Sequence, residues 1–221
     1  MQTRWQIQPS LTPEADQALL KFPPVLRQLL FNRGYATDTE ARAFLKATPT
    51  HSMSPWEIKG MDIAIPRILQ AIDENEKIII YGDYDVDGVT STALLVQVLR
   101  ALNANVGAYI PNRFDEGYGL NMDALSQLSK EGVNLVITVD CGIRSVDEVA
   151  HARDLGLALI ITDHHHPGDI LPPALAIINP KQKGDTYPEK YLAGVGIAYK
   201  IAQALLEQRS TNELTSEHLL D

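Results

Sequence analysis

The sequence predicts an α/β fold: a five-stranded, mainly parallel sheet in the order 2-1-3-4-5 with helices on both faces, preceded by a small helical N-terminal region. Three observations carry this expectation. From residue 77 onward, short apolar runs rich in β-branched residues alternate with amphipathic stretches, the rhythm that parallel strands require because each needs a crossover to reach the next. Three of those runs close on an aspartate, Asp83, Asp140 and Asp163. Right-handed crossovers place all the carboxyl ends of a parallel sheet on one edge. Strands one, three and four must be neighbours, about 4.8 Å apart, for these side chains to meet; the order 3-2-1-4-5 would scatter them.

Taken in order, residues 1–60 read as a helical lead-in. Pro9, Pro13, Pro23 and Pro24 punctuate helical patterns over 13–21, 25–32 and 38–47, the last opened by Thr37 or Asp38 with Glu40 close behind. No strand-like alternation appears there, and 48–60 reads as an irregular link. Residues 61–221 form the α/β domain. It begins with a helix over 61–74, which Pro66 is expected to bend or shorten. Strands follow over 78–81, 106–110, 135–139, 158–161 and 175–178, with helices over 90–102, 122–130, 145–155 and 192–208 between and after them.

Composition bounds the function. Lys and Arg number 19 against 28 Asp and Glu, a net charge of -9, which excludes an extensive basic surface but not a local basic channel. The single cysteine, Cys141, excludes an internal disulfide framework and suits a reducing compartment. No apolar run has the length of a signal peptide core or a membrane span. The expectation is a cytoplasmic protein with no membrane partner.

The chemistry concentrates at the strand ends. Asp83, Asp85 and Asp87 stand at alternate positions after Gly82 and before Gly88. Carboxylates this close repel one another unless a cation compensates. The plain alternative is a turn whose aspartates cap the following helix, and Asp87 is the candidate for that role. Asp163 opens Asp-His-His-His-Pro-Gly168. Adjacent histidines point in different directions, so one can bind metal while the next faces a substrate, and mixed carboxylate and imidazole donors suggest a transition-metal hydrolase centre. Cys141 reads as a small buried filler rather than a ligand.

Three segments, Tyr81-Gly-Asp-Tyr-Asp-Val-Asp-Gly-Val-Thr-Ser-Thr92, Thr138-Val-Asp-Cys-Gly-Ile143 and Thr162-Asp-His-His-His-Pro-Gly168, resemble in order and spacing the DHH phosphoesterase superfamily. Residues 111–120, Ile178-Asn-Pro180 and Leu192-Ala-Gly-Val-Gly-Ile197 are similar to segments of its single-stranded-DNA exonucleases. The resemblance implies metal-dependent phosphodiester hydrolysis on single-stranded DNA from the 5' end, in recombination and repair. It implies two divalent ions, Mn2+ first and Mg2+ second. Asp83, Asp85, Asp140 and His164 would be metal ligands, with Asp140 suited to bridging. His165 would face the scissile phosphate and Asp163 would orient the imidazoles. Arg113 would hold substrate phosphate, and Phe114 and Tyr118 would stack on a base or pack in the core.

The partners implied are single-stranded DNA and a single-strand-binding protein or helicase, with the protein itself a monomer. The sequence departs from the family pattern at Cys141 and His166, neither of which removes a ligand. The family's last aspartate ligand follows the helix after Gly196, and Asp221 does not match it; the expectation is an N-terminal portion of a longer enzyme. Alternatives are a phosphodiesterase of short oligonucleotides or cyclic dinucleotides, a metal-binding but non-catalytic fragment, and a haloacid-dehalogenase-like phosphatase with Asp85 as nucleophile and Asp87 as general acid.

Overall fold

In the computed structural model, which describes residues 7–46, 53–112, 117, 119–211, 214–215 and 219, the chain forms two compact units, Met1–Met53 and Ser54–Asp221. The first holds α1 (Pro13–Ala18), α2 (Pro24–Asn32) and α3 (Asp38–Leu45). Thr12 caps α1, and a Thr37–Glu40 capping box opens α3. Leu19, Leu30 and Ala41 form the buried centre, with Leu11, Phe22, Leu26 and Tyr35 packed against it. α1 stops at Ala18, short of residue 21. The Phe22 amide turns back onto the Leu19 carbonyl, and Pro23 disfavours helical backbone at the residue before it.

The second unit begins with a 3-10 turn, Pro55–Glu57, and α4 (Met61–Asp73). α4 runs through Pro66 without being shortened by it. Then come β1 (Ile78–Tyr81), α5 (Val86–Ala101), β2 (Val106–Tyr109), α6 (Met122–Lys130), β3 (Leu135–Thr138), α7 (Val146–Asp154), β4 (Ala158–Thr162), β5 (Ala176–Ile178) and α8 (Gly194–Gln208). The sheet has the order β2-β1-β3-β4-β5, and each neighbouring pair is parallel. Tyr81 pairs with Thr138, and Ile137 with Ile160, so β1, β3 and β4 reach the same edge together.

Every residue of β1 and β3 is buried, as expected for strands covered on both faces. Ile79, Tyr81, Val136, Leu159 and Ile161 pack with Leu125 and Leu128 of α6 and Val149 and Ala152 of α7. The alternate residues face the other way, where α5 lies against β1 and β2, α8 against β4, and α4 against β5. The one large boundary correction is α5. It starts at Val86 rather than at residue 90, because Asp85 caps it through a hydrogen bond from the Gly88 amide at 3.0 Å.

Candidate metal centre

The parallel register delivers Asp83, Asp140 and Asp163 to one edge of the sheet, each at most 2% exposed. Two sets of donor atoms gather there, Asp83 with Asp85 and Asp140, and Asp140 with His164 and His165; within each set the atoms lie inside 4.8 Å of one another. Asp140 is common to both. Its backbone takes the left-handed conformation, φ 61°, which residues other than glycine adopt at some cost and which is frequent where a site over-determines the chain. Its amide is held by the Thr162 carbonyl at 3.1 Å.

One oxygen of the Asp140 carboxylate lacks a hydrogen bond. Oδ1 is buried with no hydrogen-bond partner; His164 Nε2 stands 3.1 Å away without hydrogen-bond geometry, and His165 Nδ1 at 4.0 Å. Burial, then the charges of Asp87 and Asp85, push its pKa up to about 7. Burial likewise raises Asp83, whose carboxylate is partly relieved by a 2.7 Å hydrogen bond from the Tyr84 amide. A buried oxygen without a donor costs roughly 1–3 kcal/mol, and a cation among these carboxylates removes that cost. The donor set, carboxylate oxygens with imidazole nitrogen, fits a divalent ion of the Mn2+ or Mg2+ kind better on the first cluster and a transition ion on the second.

The two histidines are differentiated by their surroundings. Asp163 accepts the Ile143 amide at 2.9 Å, the His165 amide at 3.0 Å and His165 Nδ1 at 2.8 Å. Burial pushes the Asp163 pKa up, but the hydrogen bonds from the His165 ring and the two amides outweigh it, and the net shift is downward. In return the Asp163 hydrogen bond raises His165, against its own burial. His164 is lowered by burial and then by the neighbouring imidazole, which favours the neutral ring that can ligate a metal. The rings are 4.5 Å apart and inclined at 54°.

Sequence reasoning missed the residues that hold this peptide. Asn179 Nδ2 donates to the His165 carbonyl at 2.9 Å, and Lys181 Nζ to the His164 carbonyl at 2.5 Å. The Lys181 amide in turn donates to Asn179 Oδ1 at 2.8 Å. A signal was present, since Asn-Pro-Lys directly follows the last apolar run and so falls on the same edge. Asp87 is a correction. It does not cap α5, in whose first turn it lies; its Oδ2 accepts the Gly194 amide and its Oδ1 the Val195 amide, both at 2.7 Å, so that it caps α8. Cys141 is wholly buried, with its thiol pKa raised by that burial. A cleft of about 460 Å³ opens beside Asp163 and His165, bordered by Gly142, Ile143, Arg144 and Glu148, with Arg144 Nε held by the His166 carbonyl at 2.8 Å. Arg113, Phe114, Tyr118 and Asp221 lie outside the described residues.

The sequence profile of the DHH family, N-terminal domain, matches residues 77–221. Among curated proteins, the chain is 50% identical to the single-stranded-DNA-specific exonuclease RecJ of Bacillus subtilis, over 92% of this chain and 26% of that protein. It is 43% identical to RecJ of Escherichia coli, over 84% and 32% respectively. The chain therefore spans about a quarter to a third of the length of these relatives. Among solved structures, it is similar to Thermus thermophilus RecJ in complex with Mn2+, with a TM-score of 0.70 and 32% identity over 88% of this chain and 26% of that one. It is also similar to an exonuclease RecJ bound to manganese, with a TM-score of 0.64 and 37% identity over 70% of this chain and 39% of that one.

Proposed function

The chain belongs to the DHH family, and from that premise we propose that it carries a metal-dependent phosphodiesterase centre acting on single-stranded DNA as a 5'-to-3' exonuclease. Its similarity to RecJ proteins supports the substrate class, and membership of the family sets aside the haloacid-dehalogenase alternative. The observation that carries the metal-dependent reading is Asp140, a buried carboxylate shared by two donor clusters, with an oxygen that no protein group satisfies.

Asp83, Asp85 and Asp140 would hold one divalent ion and Asp140 with His164 a second, Mn2+ in first place and Mg2+ in second. Bound ions of this kind supply positive charge against the phosphate oxygens and lower the pKa of a water. The remaining work falls to the chain. The Asp163 hydrogen bond raises the His165 pKa and so favours the imidazolium, which stabilises the charge that grows on the scissile phosphate. Burial keeps His164 neutral for ligation. Asn179 and Lys181 fix the carbonyls of both histidines. Arg113 is assigned to substrate phosphate. We place the protein in the cytoplasm as a monomer that works beside a single-strand-binding protein or helicase. The sequence composition supports that setting, and no described helix is long and apolar enough to cross a membrane.

The test is Asp140→Ala in the whole encoded protein, assayed with Mn2+ on a 5'-labelled single-stranded oligonucleotide. The expected loss is about a thousandfold or more, by analogy with removal of other groups that stabilise transition-state charge. Undiminished degradation would sink the assignment, and activity confined to dinucleotides would favour the short-oligonucleotide alternative.

A further inference from the structure

We propose that the first turn of α8 is a positioning element for the metal centre: Asp87 docks it against the sheet edge, and Gly194 is a glycine so that Asp140 can occupy its ligating position. The inference rests on the reading of Asp140 as a shared metal ligand. It gives a role to the Leu192–Ile197 segment, which the catalytic account leaves without one.

α8 cannot cap itself, since its N-cap residue is Ala193. The cap comes from Asp87, 107 residues earlier in the chain for the Gly194 amide and 108 for Val195. Both carboxylate oxygens of Asp87 are thereby used on α8, while Oδ2 also lies 3.6 Å from His164 Nε2. One side chain thus ties the first motif, α8 and the metal-side histidine together.

Gly194 is not required by its backbone, which has no positive φ, and glycine is a poorer helix residue than alanine. Space is the remaining reason. A Cβ at Gly194 would lie 2.9 Å from Asp140 Cβ, 3.0 Å from its Cγ and 3.0 Å from Oδ1, the same oxygen that lacks a partner. Asp140 cannot easily retreat, because its backbone is already in a sparse conformation and its amide is tied to Thr162. Gly196 offers an internal contrast. The three atoms nearest to a Cβ there all belong to the Leu192 side chain, the closest at 3.2 Å, and a leucine can give way.

Gly194→Ala and Gly196→Ala, titrated calorimetrically with Mn2+ beside the unaltered protein, test this. Gly194→Ala is expected to weaken Mn2+ binding about tenfold or more, the scale seen when groups supporting a ligand are disturbed, and Gly196→Ala to leave it unchanged. Equal affinity in all three would overturn the inference. Failure of the unaltered protein to bind Mn2+ would instead remove the reading of the site on which it rests. A second measurement covers the case in which Gly194→Ala folds poorly. In metal-free protein the melting temperature should fall on Gly194→Ala when Asp140 is present and should not fall in an Asp140→Gly background, which lacks the Cβ, Cγ and Oδ1 atoms of the clash. Additive effects in that cycle would show that Gly194 acts independently of Asp140, and the proposal would be wrong.

Discussion

Asp16 and Asp38 in the helical unit each face an arginine at or near solvent, Asp16 with Arg27 at 2.8 Å and Asp38 with Arg42 at 2.9 Å. Asp83, Asp140 and Asp163 of the α/β unit are buried, and the two that meet no arginine, lysine or histidine hydrogen bond, Asp83 and Asp140, have pKa values pushed upward by that burial. In the first region each charge has a guanidinium beside it. In the second, charge is held where it costs stability, and only a bound cation or substrate recovers that cost. Stability and function therefore trade at the sheet edge and not in the helices, and the difference can be broken or sharpened by experiment.

The largest expected effect is on pH dependence. Asp140 has a folded pKa of about 7 against an ordinary 3.8. Between those values the folded protein keeps a proton that the unfolded chain has lost, so stability falls as pH rises through that window, by up to about 4 kcal/mol from this group alone. Asp83, also raised, acts in the same sense. So does His165, whose raised pKa gives stability present below 6.5 and lost as pH rises through its folded value. His164, lowered, opposes them, since stability from it rises with pH up to 6.5. Asp163, lowered, matters only below 3.8. Urea midpoints of metal-stripped protein should therefore be higher near pH 5 than near pH 8, and saturating Mn2+ should abolish or reverse the difference. A metal-free protein equally stable at both would contradict the comparison.

Asp163→Ala should come next. It strands the Ile143 and His165 amides in a buried place and releases the His165 ring, a loss of about 3 kcal/mol in denaturant unfolding. It should also remove the upward shift of the His165 pKa, measurable by proton titration of the imidazole. Asp16→Ala in the helical unit, which breaks a partly exposed pair, should cost under about 1 kcal/mol.

Much of this contrast was legible in the sequence, for a physical reason. A strand of a covered parallel sheet must be apolar along its whole length, so the aspartate that closes β1, β3 or β4 marks where the core stops and the ligand edge begins. The strand order followed from asking which arrangement lets those aspartates meet. What was not legible depends on contacts between distant parts of the chain. In the sequence Asp87 is the candidate for the local cap and Asp85 a candidate metal ligand. The structure differs because α8 arrives at Asp87 from more than a hundred residues away, leaving Asp85 to cap α5. Lys181 reaches the His164 carbonyl across 17 residues, and the left-handed backbone at Asp140 is forced by the turn it makes rather than by its own residue type. The need for glycine at 194 is invisible until Asp140 is placed beside it.

A comparably small effect is expected in α3, where the capping groups are local. Thr37 Oγ1 accepts the Glu40 amide at 3.3 Å, while Glu40 Oε2 accepts the Thr37 amide at 3.2 Å and its hydroxyl at 2.8 Å. Thr37→Ala removes one side of this box and should destabilise the helical unit by about 1 kcal/mol. The adjacent Asp38–Arg42 pair adds a pH signature of the opposite sign to that of Asp140. The Arg42 hydrogen bond holds the Asp38 pKa below 3.8 against its desolvation, so its contribution is present above 3.8 and is lost as pH falls through the folded value. That pair is exposed and should respond to salt, whereas the dependence arising at Asp140 should not. Amide exchange in α3, followed against pH at low and high ionic strength, would separate the two. A salt-insensitive response in α3, or a salt-sensitive one at the sheet edge, would mean that burial is not what distinguishes the two sets of carboxylates.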